Sequence, residues 1–550
     1  MVGADVRVAI EQERLTRRKR GAWLWYESPI MKAINYCLTE EQKSIDDVCV
    51  FVSSDIMPRR VTHELRDYSV RLYQHHLCHA ASAYMMLESP LRAGILVYDG
   101  YGSPTGRDET HPDRNTRETF SLFVFGPTGY KCIGQNVGLG FIEDDFPTSI
   151  TNSVGMLWEM ITSLIGYHPN DCGKTMGLSS YGVPRYVGHL EEFITYGNEI
   201  ATCFRCATDD PAMVEMIEGL LLNGKGNFAV RADLAASLQA ITNKTLLHCA
   251  GFFCDYSIDV LCLSGGCALN TVANSFLVEN SNLNVPIMIP PYCGDSGIAL
   301  GALWLEQFHR SGSSAKFTFR GRPLSPAISR PGRAYAESER QSAVHQFYPH
   351  IALDASITTA TDLANVIAKG AIVGLFNKGS EIGPRALGGR SIIGDPRSAM
   401  TREKINRLIK GREPYRPLAP VVLKSKYDEY FLDNRNADPF MLKIAKVRES
   451  CSRLAPAVVH VDGTARVQVI PSDGDPFLIE LLHAFEELTG VGILINTSFN
   501  RREEPIVESP VDALDAFLGM GLDGLYLDGE FYRPADSTRP NTLRIDPIAS

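Results

Sequence analysis

Four apolar runs that break off into glycine or small polar residues constrain this chain most. They are ILVYDGYGS from Ile95, DVLCLSGGCALN from Asp259, AIVGLFNKGSEIGPRALGG from Ala371 and GVGILINTSFN from Gly490. Unbroken apolar stretches of this kind suit strands buried on both faces, hence a sheet covered on each side by helices. PAMVEMIEGLLL and ADLAASLQAITNKTLLHCAGFF carry apolar residues at helical spacing and supply that cover. The chain therefore reads as a layered α/β protein. Its 550 residues leave room for about three units at roughly 100–200 residues each. The clearest break in pattern falls between residues 308 and 350, where HRSGSSAKFTFRGRPLSPAISRPGRAYAESER lacks a sustained apolar period and reads as a linker or exposed crossing segment. The expected division is a large domain over 1–345 and a smaller one over 346–550.

Charge and cysteine content narrow the function classes. Lys+Arg 54 against Asp+Glu 64 gives a net charge of -10, the wrong sign for a protein that coats nucleic acid. No apolar run reaches the roughly 18 residues of a membrane span. The first twenty residues lack the apolar core of a secretory signal. Thirteen scattered cysteines read as reduced thiols, which predicts a cytoplasmic protein. VRVAIEQERLTRRKRG looks like the second strand of a sheet entering a basic turn, with too few residues before it for a hairpin partner. That predicts a domain whose first strand is missing.

HHLCHAASAY is the sharpest chemical signal. His75 and His79 stand four apart, so on a helix both imidazoles leave one face and can grip a single ion. Two partly buried histidines without an ion are the bland alternative. The glutamate of HExxH is missing, which excludes the zinc-protease reading. Asp99 ends the run ILVYD before Gly100, where an α/β fold places ligands. Asp295 sits at a helix start, where a capping role is commonplace. Two imidazoles with two carboxylates would suit iron(II), manganese or zinc. LSGGCALNTVANS is a strand–glycine–helix junction of the kind that lets a phosphate approach backbone N–H groups. Its Asn270 and Asn274, four apart, share a helical face.

The second half holds a dense cationic cluster. KGSEIGPRALGGRSI carries Lys378, Arg385 and Arg390, NRLIKGREPYRPLAP carries Lys410, Arg412 and Arg416, and DGTARVQ adds Arg466. INTSFNRREEP supplies Asn496, Thr497 and Asn500 at a strand end. Arginine forks suit phosphate or carboxylate. The rival reading is salt bridging to Glu381, Glu413 and Glu503.

HHLCHAASAY, VYDGYG, GKTMGLSSYG, LSGGCALNTVANS, GDSGIALGAL, EIGPRALGGRSI, KGREPYRPLAP and INTSFNRREEP, in this order, resemble the carbamoyltransferase family of the NodU and cephalosporin and aminoglycoside O-carbamoyltransferase type. The resemblance covers almost the entire chain. It implies a Kae1-like domain of the actin/sugar-kinase/Hsp70 fold followed by a YrdC-like α/β domain. It further implies that the YrdC-like domain joins carbamoyl phosphate and ATP, with magnesium, into carbamoyl-adenylate. The Kae1-like domain would then pass the carbamoyl group to an acceptor hydroxyl beside iron(II) or a similar divalent metal. Carried across by motif, His75, His79, Asp99 and Asp295 surround the metal, and Asn270 and Asn274 contact carbamoyl and acceptor groups. Lys378, Lys410, Arg466, Asn496, Thr497 and Asn500 bind ATP, with Arg385, Arg412 and Arg416 completing the anion set. Family members open with a Gly-x-x-His-Asp-like loop whose histidine takes the hydroxyl proton. This chain joins the pattern after it, which implies a separate N-terminal fragment as partner or an impaired form. The arrangement resembles NolO-type nodulation loci, and the implied acceptor is a small glycan or secondary metabolite, with lipochitooligosaccharide nodulation factors in first place. The alternatives are a tRNA threonylcarbamoyl-transfer protein and a catalytically impaired nucleotide-binding module.

Overall fold

A computed structural model describes residues 1, 5–19, 30–56, 59–87, 91–107, 114–143, 146–148, 150–223, 227–312, 317–319, 322–323 and 330–535. Two large sheets organise them, each with its own apolar core. In the first half, β1 (Phe51–Ser54) runs parallel to Val70–Tyr73, and α1 (His75–Met85) follows directly. β2 (Ala93–Tyr98) is buried at every residue and lies parallel to β3 (Val260–Ser264), which in turn pairs with Ile287–Met288. On its other edge β2 pairs antiparallel with Arg114–Gly126, which pairs with Gly129–Glu143, and Pro104–Arg107 and Phe146–Thr148 complete a seven-stranded sheet. Continuous apolar sequence thus corresponds to central strands, as burial on both faces demands.

Helix α2 (Thr271–Asn280) follows the Gly265–Gly266 loop, and α3 (Ile298–Ser311) follows a short turn at Asp295–Gly297. The stretch Ala80, Ala81, Ser82, Ala83 keeps α1 slim, so α3 comes very close: a Cβ at Gly301 would overlap Cys78 O. This packing brings the His75/His79 helix against the helix that starts beside Asp295.

In the second half, β4 (Val373–Phe376), β5 (Arg390–Gly394), β6 (Ala419–Leu423) and β7 (Ile493–Ser498) form the middle of an eight-stranded mixed sheet. β5 and β7 run antiparallel, as do β7 and β6, and β4 lies parallel to Gly524–Leu527. The helices Ala360–Ala368, Pro476–Thr489 and Pro510–Met520 bury their apolar faces in the same core.

Two expectations need correction. The segment read as a strand and basic turn forms only a two-residue strand, Asp5–Val6, parallel to Thr318–Phe319, and then a short helix, Gln12–Thr16. Arg14 on that helix is buried and donates to Gly383 O (2.9 Å), tying the start of the chain to the second half. The supposed linker contains a helix, Glu337–Phe347, whose Ala343, Val344 and Phe347 pack on the second core. The halves also meet directly, with Asn274 Nδ2 donating to Leu442 O (2.9 Å) and Ser275 Oγ to Ile444 O (3.0 Å). Among the described residues no helix is long and apolar enough to cross a membrane.

Candidate functional site

The C-terminal ends of β2 and β3, the start of α1 and the turn before α3 converge on one point. His75, His79, Asp99 and Asp295 each offer a ligand atom there, all within 4.8 Å of one another. Asp99 Oδ2 lies 3.3 Å from His75 Nε2 and 3.2 Å from His79 Nε2. Asp295 Oδ1 stands 3.7 and 3.5 Å from the same nitrogens. The four-residue spacing on α1 produces this pairing, with the rings 4.8 Å apart at right angles. Three ligands are buried, whereas the Asp295 side chain is 79 % exposed and forms the open side.

Electrostatics favour a cation at this point. Burial opposes charge on both partners, yet the two imidazoles hold the Asp99 carboxyl well below the usual carboxylate range. Against the same burial, Asp295 and Asp99 raise His79 to about 9. Two carboxylates beside two imidazoles draw positive charge, supplied by a proton or by a divalent ion. Hard oxygen and borderline nitrogen donors at this separation fit iron(II), manganese or zinc.

His76 faces the other way. Its Nδ1 lies 2.7 Å from Ser121 Oγ, and burial pushes the ring well below the usual histidine range. It stands near Glu118, a fully buried carboxyl pushed up to about 7 chiefly by burial.

The glycine loop serves Asp99 first. Gly100 N and Gly266 N donate to Asp99 Oδ1 at 2.8 and 3.0 Å. Gly265 has φ 94°, and a Cβ there would overlap Tyr98 O. Asn270 caps α2 through Ala273 N (3.0 Å) and donates to Gln239 Oε1 (3.1 Å). Asn274 is fully buried and is held by Ala268 O, Leu442 O and Tyr98 OH. Asn274 is thereby locked behind the loop, and Asn270 is fixed at the start of α2.

In the second half, Arg385, Lys410, Arg412, Arg416 and Arg466 come together. Burial, reinforced by Arg416, lowers Arg385 to about 10, and burial and Arg416 lower Arg412 to about 9. Arg466 is held well below its ordinary value by burial and by Arg385, Arg416 and Arg412, and Lys410 by burial, Arg412, Lys19 and Arg416. Arg385 Nε, Arg412 Nη2, Arg466 Nε and Asn496 Oδ1 are buried without a hydrogen-bond partner. Mutually repelling, half-buried cations with unsatisfied donors offer a place for an anion.

Of the rival salt-bridge reading, among the described residues only Glu413 acts on the cluster, at a distance on Arg412 and Arg416. Glu381 accepts instead from the backbone N–H groups of Leu387, Gly389 and Arg390. Glu413 pairs with Lys174, and Glu503 with Arg502. Asn500 Oδ1 accepts from Lys410 Nζ (2.9 Å), and Asn496 Nδ2 donates to Gln468 Oε1 and Ala386 O. Thr497 is half-buried on β7. Lys378 is exposed at the exit of β4 with φ 57°. Arg390 is buried over the Phe376 ring, 3.4 Å away, and donates to Lys378 O.

Several residues escaped the sequence reading. Lys19, in the basic run TRRKRG, lies near enough to Lys410 to oppose its charge. Gln468 holds Asn496 from the strand Gln468–Ile470, two residues beyond Arg466 in DGTARVQ. Cys203 and Cys206 stand in a C-x-x-C spacing, with Cys203 Sγ 3.5 Å from Cys249 Sγ.

Arg385 Nη2 lies 3.4 Å from Leu269 O, and a Cβ at Gly383 would overlap Pro291 O. The cationic pocket thus abuts the loops that carry Gly266 and Asp295.

Comparison with known proteins adds family information. A family model described as Carbamoyltransferase N-terminus matches residues 60–304, and one described as Carbamoyltransferase C-terminus matches residues 364–533. An uncharacterised protein of Synechocystis is 31% identical over 94% of this chain and 92% of its own length. Nodulation protein NolO of Bradyrhizobium diazoefficiens is 32% identical over 68% of each chain. The 3'-hydroxymethylcephem-O-carbamoyltransferase of Amycolatopsis lactamdurans is 32% identical over 50% of this chain and 49% of its own.

Proposed function

The chain belongs to the carbamoyltransferase family, and from that premise we propose that it is an O-carbamoyltransferase using carbamoyl phosphate and ATP through carbamoyl-adenylate. The observation that carries this reading is the pocket of five cations, three of them with unsatisfied donors, set against a His/His/Asp/Asp cluster in the same chain. In this reading residues 1–345 transfer the group and residues 346–550 activate it.

Carbamoyl phosphate and water give carbamate and phosphate. A carbamate oxygen then attacks the α-phosphorus of ATP, and pyrophosphate leaves with the bonding pair. Arg385, Arg412, Arg416, Arg466 and Lys410 neutralise the anions that must meet for this step. Asn496, Thr497 and Asn500 hold the nucleotide from the end of β7, and Lys378 and Lys19 serve the triphosphate from the rim.

His75, His79, Asp99 and Asp295 hold iron(II) or a similar divalent ion, which when bound polarises the carbamoyl carbonyl as a Lewis acid. Asn270, the more exposed of the two asparagines, orients the carbamoyl group, while Asn274 fixes the loop behind it. The acceptor oxygen attacks the carbonyl carbon, its proton passes to solvent water, and AMP leaves with the pair of the broken C–O bond. Likeness to NolO supports a glycan acceptor of the nodulation-factor class, and likeness to the cephem enzyme supports a small hydroxymethyl scaffold as runner-up.

The test is incubation with ATP, magnesium and carbamoyl phosphate and either a chitooligosaccharide or a 3'-hydroxymethylcephem, followed by mass spectrometry. The expected result is pyrophosphate release that requires both donors and a mass gain of one carbamoyl group on an acceptor. Absence of carbamoyl-phosphate-dependent pyrophosphate release would overturn the reading in favour of a nucleotide-binding module.

A further inference from the structure

An imidazole that ligates an ion through one nitrogen must keep a hydrogen on the other, and whatever accepts that hydrogen sets the tautomer and aims the ring. Two serines outside the ligand set occupy these positions. His75 turns Nε2 toward Asp99 and Asp295, and its Nδ1 lies 3.1 Å from Ser54 Oγ, at the C-terminal end of β1. His79 presents Nε2 in the same direction, and its Nδ1 lies 3.5 Å from Ser264 Oγ, at the end of β3.

The direction of the second bond is set by its surroundings. Ser264 donates its hydroxyl hydrogen to Cys293 O (3.2 Å), so its oxygen turns a lone pair to His79 and selects the Nδ1–H form. Ser264 is fully buried and Ser54 is 4 % exposed, which leaves little room for water to replace either hydroxyl. Asp99 is aimed in a parallel way, because two backbone N–H groups hold Oδ1 and leave Oδ2 for the ion.

We infer that Ser54 and Ser264 are positioning residues for the metal centre, accepting Nδ1–H from His75 and His79 so that both Nε2 lone pairs converge on one divalent cation. This rests on the metal reading above and deepens it. Such outer hydrogen bonds govern affinity by holding the ligands in place before the ion arrives, so their loss raises the cost of ordering the rings on binding.

The experiment titrates the metal-stripped full chain with Co2+, followed by its visible absorption, with no need for activity. Ser54→Ala and Ser264→Ala should each weaken Co2+ binding by about 10–100-fold and alter the band shape, as loss of such partners does elsewhere. Ser54→Thr, which keeps the hydroxyl, should restore affinity, a rescue that a merely packing role would not give. Circular dichroism checks that each variant folds. Alanine variants that bind Co2+ as tightly as the unmodified chain, with His79→Ala losing it, would overturn the inference and leave the metal reading intact. No Co2+ binding by the unmodified chain would overturn the metal reading and the inference with it.

Discussion

At Gly266 there is no space for a methyl group: a Cβ would stand 2.8 Å from Asp99 Oδ1, the oxygen that Gly266 N itself holds. Gly266→Ala should therefore rotate the carboxylate and weaken Co2+ binding by about tenfold or more, on the scale of lost outer-shell support, while the melting temperature changes little. Lys410 makes a second prediction at this scale. Burial and the cations Arg412, Lys19 and Arg416 hold its ammonium well below the ordinary lysine range, and a bound anion restores it. Binding thus takes up a proton, so affinity is highest below the free-site value and falls as pH rises through the bound-state value. Pyrophosphate affinity measured by calorimetry from neutral to alkaline pH should fall by up to about tenfold per pH unit through that window, and Lys410→Arg should flatten the profile. The residues legible in advance were those whose chemistry follows local spacing, His75 and His79 on one helical face. Asn274 shares the same kind of spacing with Asn270, yet three partners from distant segments bury it, which no local pattern announces.

Helices α1 and α3 act as one clamp, because α1 carries both imidazoles and α3 begins just after Asp295. Their closeness depends on Gly301, where a side chain would strike Cys78 O. Gly301→Ala should separate the helices, destabilise the fold by about 1–3 kcal/mol as overpacked cores do, and weaken Co2+ binding without touching a ligand. Thermal unfolding and the Co2+ titration read the two effects separately. Elements with dense apolar sequence, such as β2 and β3, were legible because burial on both faces leaves few polar positions to interrupt the run. The helix Glu337–Phe347 was not: it buries only Ala343 and half-buries a few neighbours such as Val344 and Phe347, too sparse a stripe to stand out among Ser, Glu and Arg. The opening segment failed for a related reason, since a two-residue strand carries almost no period.

Across the whole molecule, the cationic pocket trades stability for binding. Arg466 is charged where burial and three arginines oppose its charge, so Arg466→Met should raise the melting temperature of the ligand-free protein, by an amount on the order of 1 kcal/mol of stability. The same variant should lose the stabilisation that pyrophosphate confers on the unmodified chain, which amounts to about 2.7 kcal/mol at a hundred times its dissociation constant. Differential scanning calorimetry with and without pyrophosphate measures both. Local order along the chain is enough to set the α/β layering, the metal-binding face of α1 and the basic loops, because periodicity and charge density belong to short segments. Convergence is another matter. Whether Arg385, Arg412 and Arg466 meet an anion or a carboxylate, and which serine stands behind each imidazole, depends on packing between segments that are well separated along the chain, 21 residues for Ser54 and His75 and 185 for Ser264 and His79, and that arises only when each half closes around its own core.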